Sequence, residues 1–600
     1  MLSLNKRMER RPHGYDAETA NQPRKLRVLF RLSVYLYRYK CMLALALLLT
    51  VASNLFSLIG PQLSGYAITA IEPGTSAVDF ESVIFYCTLM MIFYALSSIL
   101  SYILSKVMIT LTQRTVYQMR DDVFKKLLKL PVGYFDLNQT GDIISRMSYD
   151  IDTINATLST DFIQICTSAI TVFGSLIMML TISPKLCLIF AVTIPASIGF
   201  TKYMTTKVRP LFKKRSAKLG ELNGYAEEML SGQKTIKAYN REKVMIDRFE
   251  ERNEGAVDAY YRADYYGSIT GPSVNFINNL SLSLVSMFGA LMYLAGTITL
   301  GSISTFIQYS RRFSGPINEF ANIISELQSA AAAAERVFRL LDSEEESADI
   351  INAVTLSDVK GKVDLEHVDF GYIPERIILK DLSISVKPGS TIAIVGPTGA
   401  GKTTIINLLM RFYDPNKGVI SVEEVDVMEA TRKSLRRSYT MVLQDTWLFS
   451  GTIAENIAYG KEETTMEEVK AAAKAAHIHS YIEALPQGYE TILTDDGVNI
   501  SKGQKQLITI ARAMISDSSM LILDEATSNV DSRTEILIQE AMSALMKGRT
   551  CFTIAHRLST IKNADVIVVL RDGRIIEQGN HESLLAGRGF YSSLYNSQFD

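Results

Sequence analysis
Gly396-Pro-Thr-Gly-Ala-Gly-Lys402-Thr403 fits the pattern G-x-x-x-x-G-K-[ST]. Thr391-Ile-Ala-Ile-Val395 before it reads as a short buried strand, and Thr404-Ile-Ile-Asn-Leu-Leu-Met410 after it reads as a helix. That is the strand–loop–helix context the pattern requires. Glycines let backbone N–H groups crowd around phosphate oxygens, and the helix N-terminus adds partial positive charge. Gly396, Pro397, Thr398, Gly399, Ala400, Gly401, Lys402, Thr403 and Thr404 are therefore candidate ATP-binding residues. Lys402 is placed to reach the β- and γ-phosphates, and Thr403 to hold Mg²⁺.

Such a Mg²⁺ needs a carboxylate. Met520-Leu-Ile-Leu-Asp524-Glu525 supplies one, as an apolar run of a buried parallel strand ending in two acids. Asp524 is the candidate metal support, and Glu525 the candidate base that polarises the attacking water. Alternating strand patterns begin near Lys362, so an α/β P-loop ATPase domain is expected over 362–600.

The preceding half is of another kind. The chain has 600 residues, too many for one core, with only 21% charged residues. Its mean hydropathy of +0.12 is high for a soluble protein. The net charge of −1 gives no reason to expect a nucleic-acid partner. Five cysteines without CxxC spacing read as small buried apolar residues, not as a metal site or disulfide framework.

Residues 1–24 read as a flexible polar tail, and 25–40 as an interfacial elbow helix alternating basic and apolar residues. Six apolar stretches follow, at about 41–70, 82–112, 158–181, 184–206, 266–296 and 299–328. Each is long enough to cross roughly 30 Å of hydrocarbon. An all-α six-helix transmembrane bundle is thus expected over 25–328, in contact with the lipid bilayer, with a linker over 329–361.

The loops about 113–157 and 207–265 carry the Lys and Arg, which puts them in the cytoplasm. They read as helical extensions with tips near Gly141–Arg146 and Leu222–Tyr225. Arg311 and Arg312 fall about 15 Å into the last span, counted at 1.5 Å per residue. They make either an ion pair, for instance with Glu319, or a lining of the translocation path for substrates with an anionic group.

Taken together, these residues resemble the ABC transporter ATPase domain, and the whole chain resembles an exporter-type half-transporter over about residues 25 to 598. Further motifs occur in the family's order. The resemblance implies that Tyr372 stacks on adenine and that Gln444, in Val442-Leu-Gln444, senses Mg²⁺ and water. It makes Ser501, Gly503 and Gln504 the signature residues that complete a partner's ATP site. Asp531 would lie between the two sites, and His556 would be the switch histidine.

It also implies a dimer, because the signature of one subunit faces the phosphate loop of the other. The agreement is strongest with the catalytically complete subunit of bacterial heterodimeric multidrug exporters, so a second half-transporter subunit, more readily a different chain than a copy, is the expected partner. The implied cargo is a hydrophobic or amphipathic small molecule, with a lipid or peptide as the alternative; a nucleotide-gated channel or membrane regulator is the alternative of another class. One departure stands out: Lys502 occupies the family's first signature glycine, and Ile500 its usual leucine.

Overall fold
The structure is a computed structural model that describes residues 22–71, 78–373, 375–443, 446–493, 500–524, 531–554 and 561–599. The chain forms two compact units. One comprises residues 1–128 and 140–343, the other residues 129–139 and 344–600. Both expected halves, the helical membrane bundle and the α/β ATPase domain, are present.

The first unit is helical: α1 Gln22–Tyr37, α2 Lys40–Thr69 and α3 Phe80–Leu127 precede the short α4 Val132–Leu137, which belongs to the second unit. Then come α5 Thr140–Ile182, α6 Pro184–Ser231, α7 Gln233–Ala238, α8 Glu242–Leu294 and α9 Leu300–Leu341. Among the described residues five of these, α2, α3, α5, α6 and α8, are long and apolar enough to cross a membrane.

Local chemistry sets the turns between them. Ser183 caps α6 by accepting from the Leu186 N–H at 3.5 Å, with Pro184 at the first helical position. Gly296, at φ +69°, closes α8, and Thr299 caps α9 by accepting from the Ser302 N–H at 3.1 Å.

The sixth helix, α9, is more polar, and its polar groups are satisfied on α2. Tyr309 donates to the Leu58 carbonyl at 2.6 Å, and Thr305 to that of Pro61 at 3.1 Å. Arg312 donates to both the carbonyl and hydroxyl oxygens of Ser57 at 2.8 Å. The hydrogen-bond partner of Arg312 is thus a serine on α2, which neither sequence reading named. Glu319 lies outside the residues whose side chains are described. Two glycines let the helices approach this closely, for a Cβ on Gly301 would sit 2.0 Å from the Gly65 carbonyl oxygen.

The helices differ from expectation at their cytoplasmic ends. The first loop turns at 128–139, where Pro131 starts α4 and Asn138 is extended; residues 141–146 already lie inside α5. In the second, α6 runs on through Leu222–Tyr225. The buried Tyr225 donates across to the Met245 carbonyl of α8 at 3.1 Å, and the chain turns only at Gly232 and at Asn240, φ +50°. The alanine-rich start of the expected linker continues α9 to Leu341, as its helix propensity dictates.

In the second unit, β1 Val363–Phe370, β2 Leu379–Val386, β4 Lys417–Val422 and β5 Val425–Asp426 form an antiparallel sheet in the order β2-β1-β4-β5. A six-stranded sheet has the order β12-β11-β3-β10-β9-β6: β3 Thr391–Val395, β6 Tyr439–Val442, β9 Met520–Asp524, β10 Thr550–Ile554, β11 Val566–Arg571 and β12 Arg574–Gly579. All of its pairs are parallel except β11–β12, and a separate antiparallel pair joins β7 Gly451–Thr452 to β8 Ile492–Leu493.

Helix α10 (Lys402–Leu409) follows β3, and α11 (Arg432–Arg437) precedes β6. A helical subdomain of α12 (Ile453–Ala458), α13 (Met466–Ala475) and α14 (Lys502–Met514) packs its apolar side with α15 (Ser532–Met546) against Val442 of β6, Leu521 and Leu523 of β9 and Cys551 of β10. The acidic segment after α9 is tied down here. Asp349 receives Arg432 at 3.1 Å, Glu346 pairs with Arg436, and the Glu346 N–H donates to the Lys129 carbonyl at 2.9 Å.

Candidate functional site
The C-terminal ends of parallel strands in an α/β sheet are where ligands bind, and β3 lies inside this one. Its end, Val395, leads into the loop 396–401 and then α10. Two glycines are obligatory in that loop. Gly396 has φ +152°, and a Cβ there would meet the Leu570 carbonyl oxygen at 2.3 Å. Gly401 has φ +105°, and a Cβ would meet Leu379 Cδ2 at 2.6 Å. At these two positions the loop can be lined only by backbone.

Pro397, Thr398, Gly399 and Thr403 are exposed, while Ala400 and Thr404 are buried. Lys402 Nζ donates to the carbonyls of Gly396 at 2.7 Å and Pro397 at 3.1 Å, folding its side chain back over the loop. Partial burial holds this amine below the usual lysine range, opposed by the Asp524 carboxylate. Asp524 ends β9 level with Ile554 of β10, which is itself level with Ile394 of β3. The sequence-distant carboxylate and the phosphate loop thus share one edge of the sheet.

Tyr372 is 42% exposed. Its hydroxyl accepts from Asn407 Nδ2 at 2.9 Å and donates to Thr404 Oγ1 at 3.4 Å, which fixes the ring against α10. Ser501 caps α14 through a reciprocal box: its hydroxyl accepts from the Gln504 N–H at 3.2 Å, and its own N–H donates to Gln504 Oε1 at 2.9 Å. Gly503 is buried and Lys502 exposed in the first turn. Asp531 caps α15, accepting from the Thr534 N–H at 3.0 Å, and that bond holds its carboxyl below the usual range. Gln444, Glu525 and His556 lie outside the described residues; in sequence they follow β6, β9 and β10 within two residues.

Residues 43–317 match the family model for the ABC transporter transmembrane region, and residues 379–528 the model for the ABC transporter. The chain belongs to the ABC transporter family. A Bacillus subtilis relative, the uncharacterized ABC transporter ATP-binding protein YfiC, is 45% identical over 95% of this chain and 94% of its own length. The fatty acid ABC transporter ATP-binding/permease protein of Mycobacterium bovis is 45% identical over 87% of this chain and 83% of its own. A solved structure of a bacterial Atm1-family ABC exporter with ATP bound superposes with a TM-score of 0.76 at 30% identity, covering 94% of this chain and 98% of that one. The protein is an ATP-driven ABC exporter half-transporter, a multi-pass membrane protein with a cytoplasmic ATPase domain that couples ATP hydrolysis to transport, in a fold that functions as a dimer.

Sequence reading missed three parts of this ABC exporter. Tyr413, in the loop after α10, packs edge-on against Tyr372 with ring centroids 4.9 Å apart. Arg411, Arg432 and Arg436 gather the acidic linker residues, and Arg411 is 3% exposed. In the membrane unit, a cavity of about 700 Å³ lies among α5, α6 and α9, lined by residues including Phe173, Ile198, Thr201, Lys202, Ile323 and Ile324. Only Lys202 carried a local signal, as a lone cation at the end of an apolar run.

Proposed function
We propose that this exporter moves hydrophobic or amphipathic compounds outward, with multidrug-type breadth, and that amphiphiles with one anionic head group are among its cargo. The cavity carries this reading. Its volume suits a small-molecule ligand, and its walls are mostly apolar with Lys202 as the cation. Lys202 stands about 27 Å along α6 from Pro184 at 1.5 Å per residue, close to the cytoplasmic end of a span about 30 Å deep. A head group at Lys202 leaves the tail in the apolar part. The mycobacterial relative named as a fatty acid transporter supports the same chemistry.

In proteoliposomes of the complete transporter, Lys202→Ala should raise the KM for a long-chain carboxylate about tenfold, the worth of one charge-assisted hydrogen bond. A neutral lipophile should be unaffected, and Lys202→Arg should restore the carboxylate. Equal effects on both cargoes would remove the proposal.

At the ATP site, Lys402 and the loop amides bind the phosphates, Tyr372 the adenine, and Glu525 and His556 serve hydrolysis. Mg²⁺ fits the oxygen donors of Thr403, Asp524 and Gln444, a set that suits a hard cation, and it would neutralise phosphate charge there. Ser501, Gly503, Gln504 and Asp531 serve the opposite site. Lys502 favours a heterodimer: a chain with its own complete hydrolytic residues offers its partner an altered signature. Purification of the tagged chain from its native membrane with a second, different half-transporter is the expected result. Recovery of only copies of itself would refute the heterodimer.

A further inference from the structure
The first cytoplasmic loop contributes residues 129–139 to the ATPase unit, although α3 and α5 on either side of it belong to the membrane unit. Within that unit the segment meets Tyr413. The phenol donates to Asp136 Oδ2 of α4 at 2.5 Å, and the ring closes over Gly133, where a Cβ would lie 3.0 Å from the ring carbon Cε1 and from the hydroxyl oxygen. The other side of the ring meets Tyr372, edge-on at 84°, and Phe370 at 5.7 Å between centroids. Burial, reinforced by the Asp136 carboxylate, pushes the phenol's pKa up, so it stays a donor across the physiological range.

One ring therefore fills the space between the candidate adenine platform and α4. Edge-to-face packing is directional, and a methyl group added at Gly133 would press on the ring at 3.0 Å. Tyr413 thus touches both Tyr372 and α4.

We propose that Tyr413 is a positioning residue that ties occupancy of the adenine platform to the seating of α4, the ATPase-bound segment joining α3 to α5. The tie rests on the reading of Tyr372 as the base platform. It makes the base, as distinct from the phosphates, the part of ATP that α4 senses.

The experiment is hydrogen exchange of residues 129–139 in the complete transporter in lipid nanodiscs, with saturating MgATP or saturating Mg-tripolyphosphate, which lacks the base. MgATP should slow exchange in this segment about tenfold relative to tripolyphosphate, the scale of one hydrogen bond to a charged group. Tyr413→Phe and Asp136→Ala should each abolish that difference, and the double variant should do no more than either. Equal protection by the two ligands, or an undiminished difference in Tyr413→Phe, overturns the tie. Tyr372→Ala separates the underlying reading: unchanged ATP affinity in that variant removes the base platform itself. Weakened ATP binding there, together with an undiminished ATP–tripolyphosphate difference in Tyr413→Phe, removes the tie alone.

Discussion
Replacing Gly396 with Ala tests the phosphate loop at its most constrained point. At φ +152° an L-residue stores about 1–3 kcal/mol of backbone strain. The added Cβ would also lie 2.3 Å from the Leu570 carbonyl oxygen, about 1 Å inside a normal C···O approach. That oxygen is backbone, so the obstacle cannot rotate away. Relief requires the loop or the end of β11 to move, at the expense of the β3–β11 ladder where Val569 faces Val395. One lost ladder bond adds about 1 kcal/mol, for a total of about 2–4 kcal/mol. A loop displaced by that distance misaligns amide donors to charged phosphate, each worth about 1.5–3 kcal/mol. Affinity for MgATP should therefore fall about ten- to a hundredfold. The assay is titration of a fluorescent ATP analogue on the full-length transporter, with melting curves alongside. Wild-type affinity in a protein that melts earlier would show that 396–401 is not where the phosphates sit. Wild-type affinity and melting together would refute the steric argument itself.

Three further outcomes follow from the geometry. Glu525→Gln should retain ATP while turnover falls at least about a hundredfold, as expected for loss of a base in proton transfer; brisk hydrolysis would displace Glu525 from that role. Arg432→Ala, at a side chain 9% exposed that serves both Glu346 and Asp349, should cost about 2–4 kcal/mol and open the linker near Ser347 to protease. An unchanged cleavage pattern would show that the arginines do not hold it. Glu468 has its pKa lowered to about 2, first by its bond from the Thr465 N–H in the cap of α13 and then by Lys461. A carboxyl lowered in the folded state stabilises above its unfolded value of 4.5, and that contribution is lost as pH falls toward 2. Glu468→Gln should therefore flatten acid unfolding in that window, and an unaltered acid profile would count against the cap.

What the chain disclosed before folding, and what it withheld, separates by the distance over which the information is written. The phosphate loop, the strand ending in Asp524 and the cap at Ser501 are local: a few consecutive residues fix φ, a strand period or a helix start. The apolar spans were legible for the same reason. Turns were less so, because α5 and α6 take in polar stretches that look like tips; α5 begins only after the extended Asn138, and α6 ends only at Gly232. The contacts that hold each unit's parts together were invisible. Tyr413 and Asp136 are 277 residues apart, Arg312 and Ser57 255, and Arg436 and Glu346 90. No window on the chain contains both partners, and a tyrosine, an arginine or a serine alone announces nothing. The same distances argue for function. A bond between Tyr413 and Asp136 closes a loop of this length only after both the nucleotide fold and α4 are in place, so it adds little to the early formation of either. Its value lies in the finished protein, where it makes two separately encoded pieces report on each other.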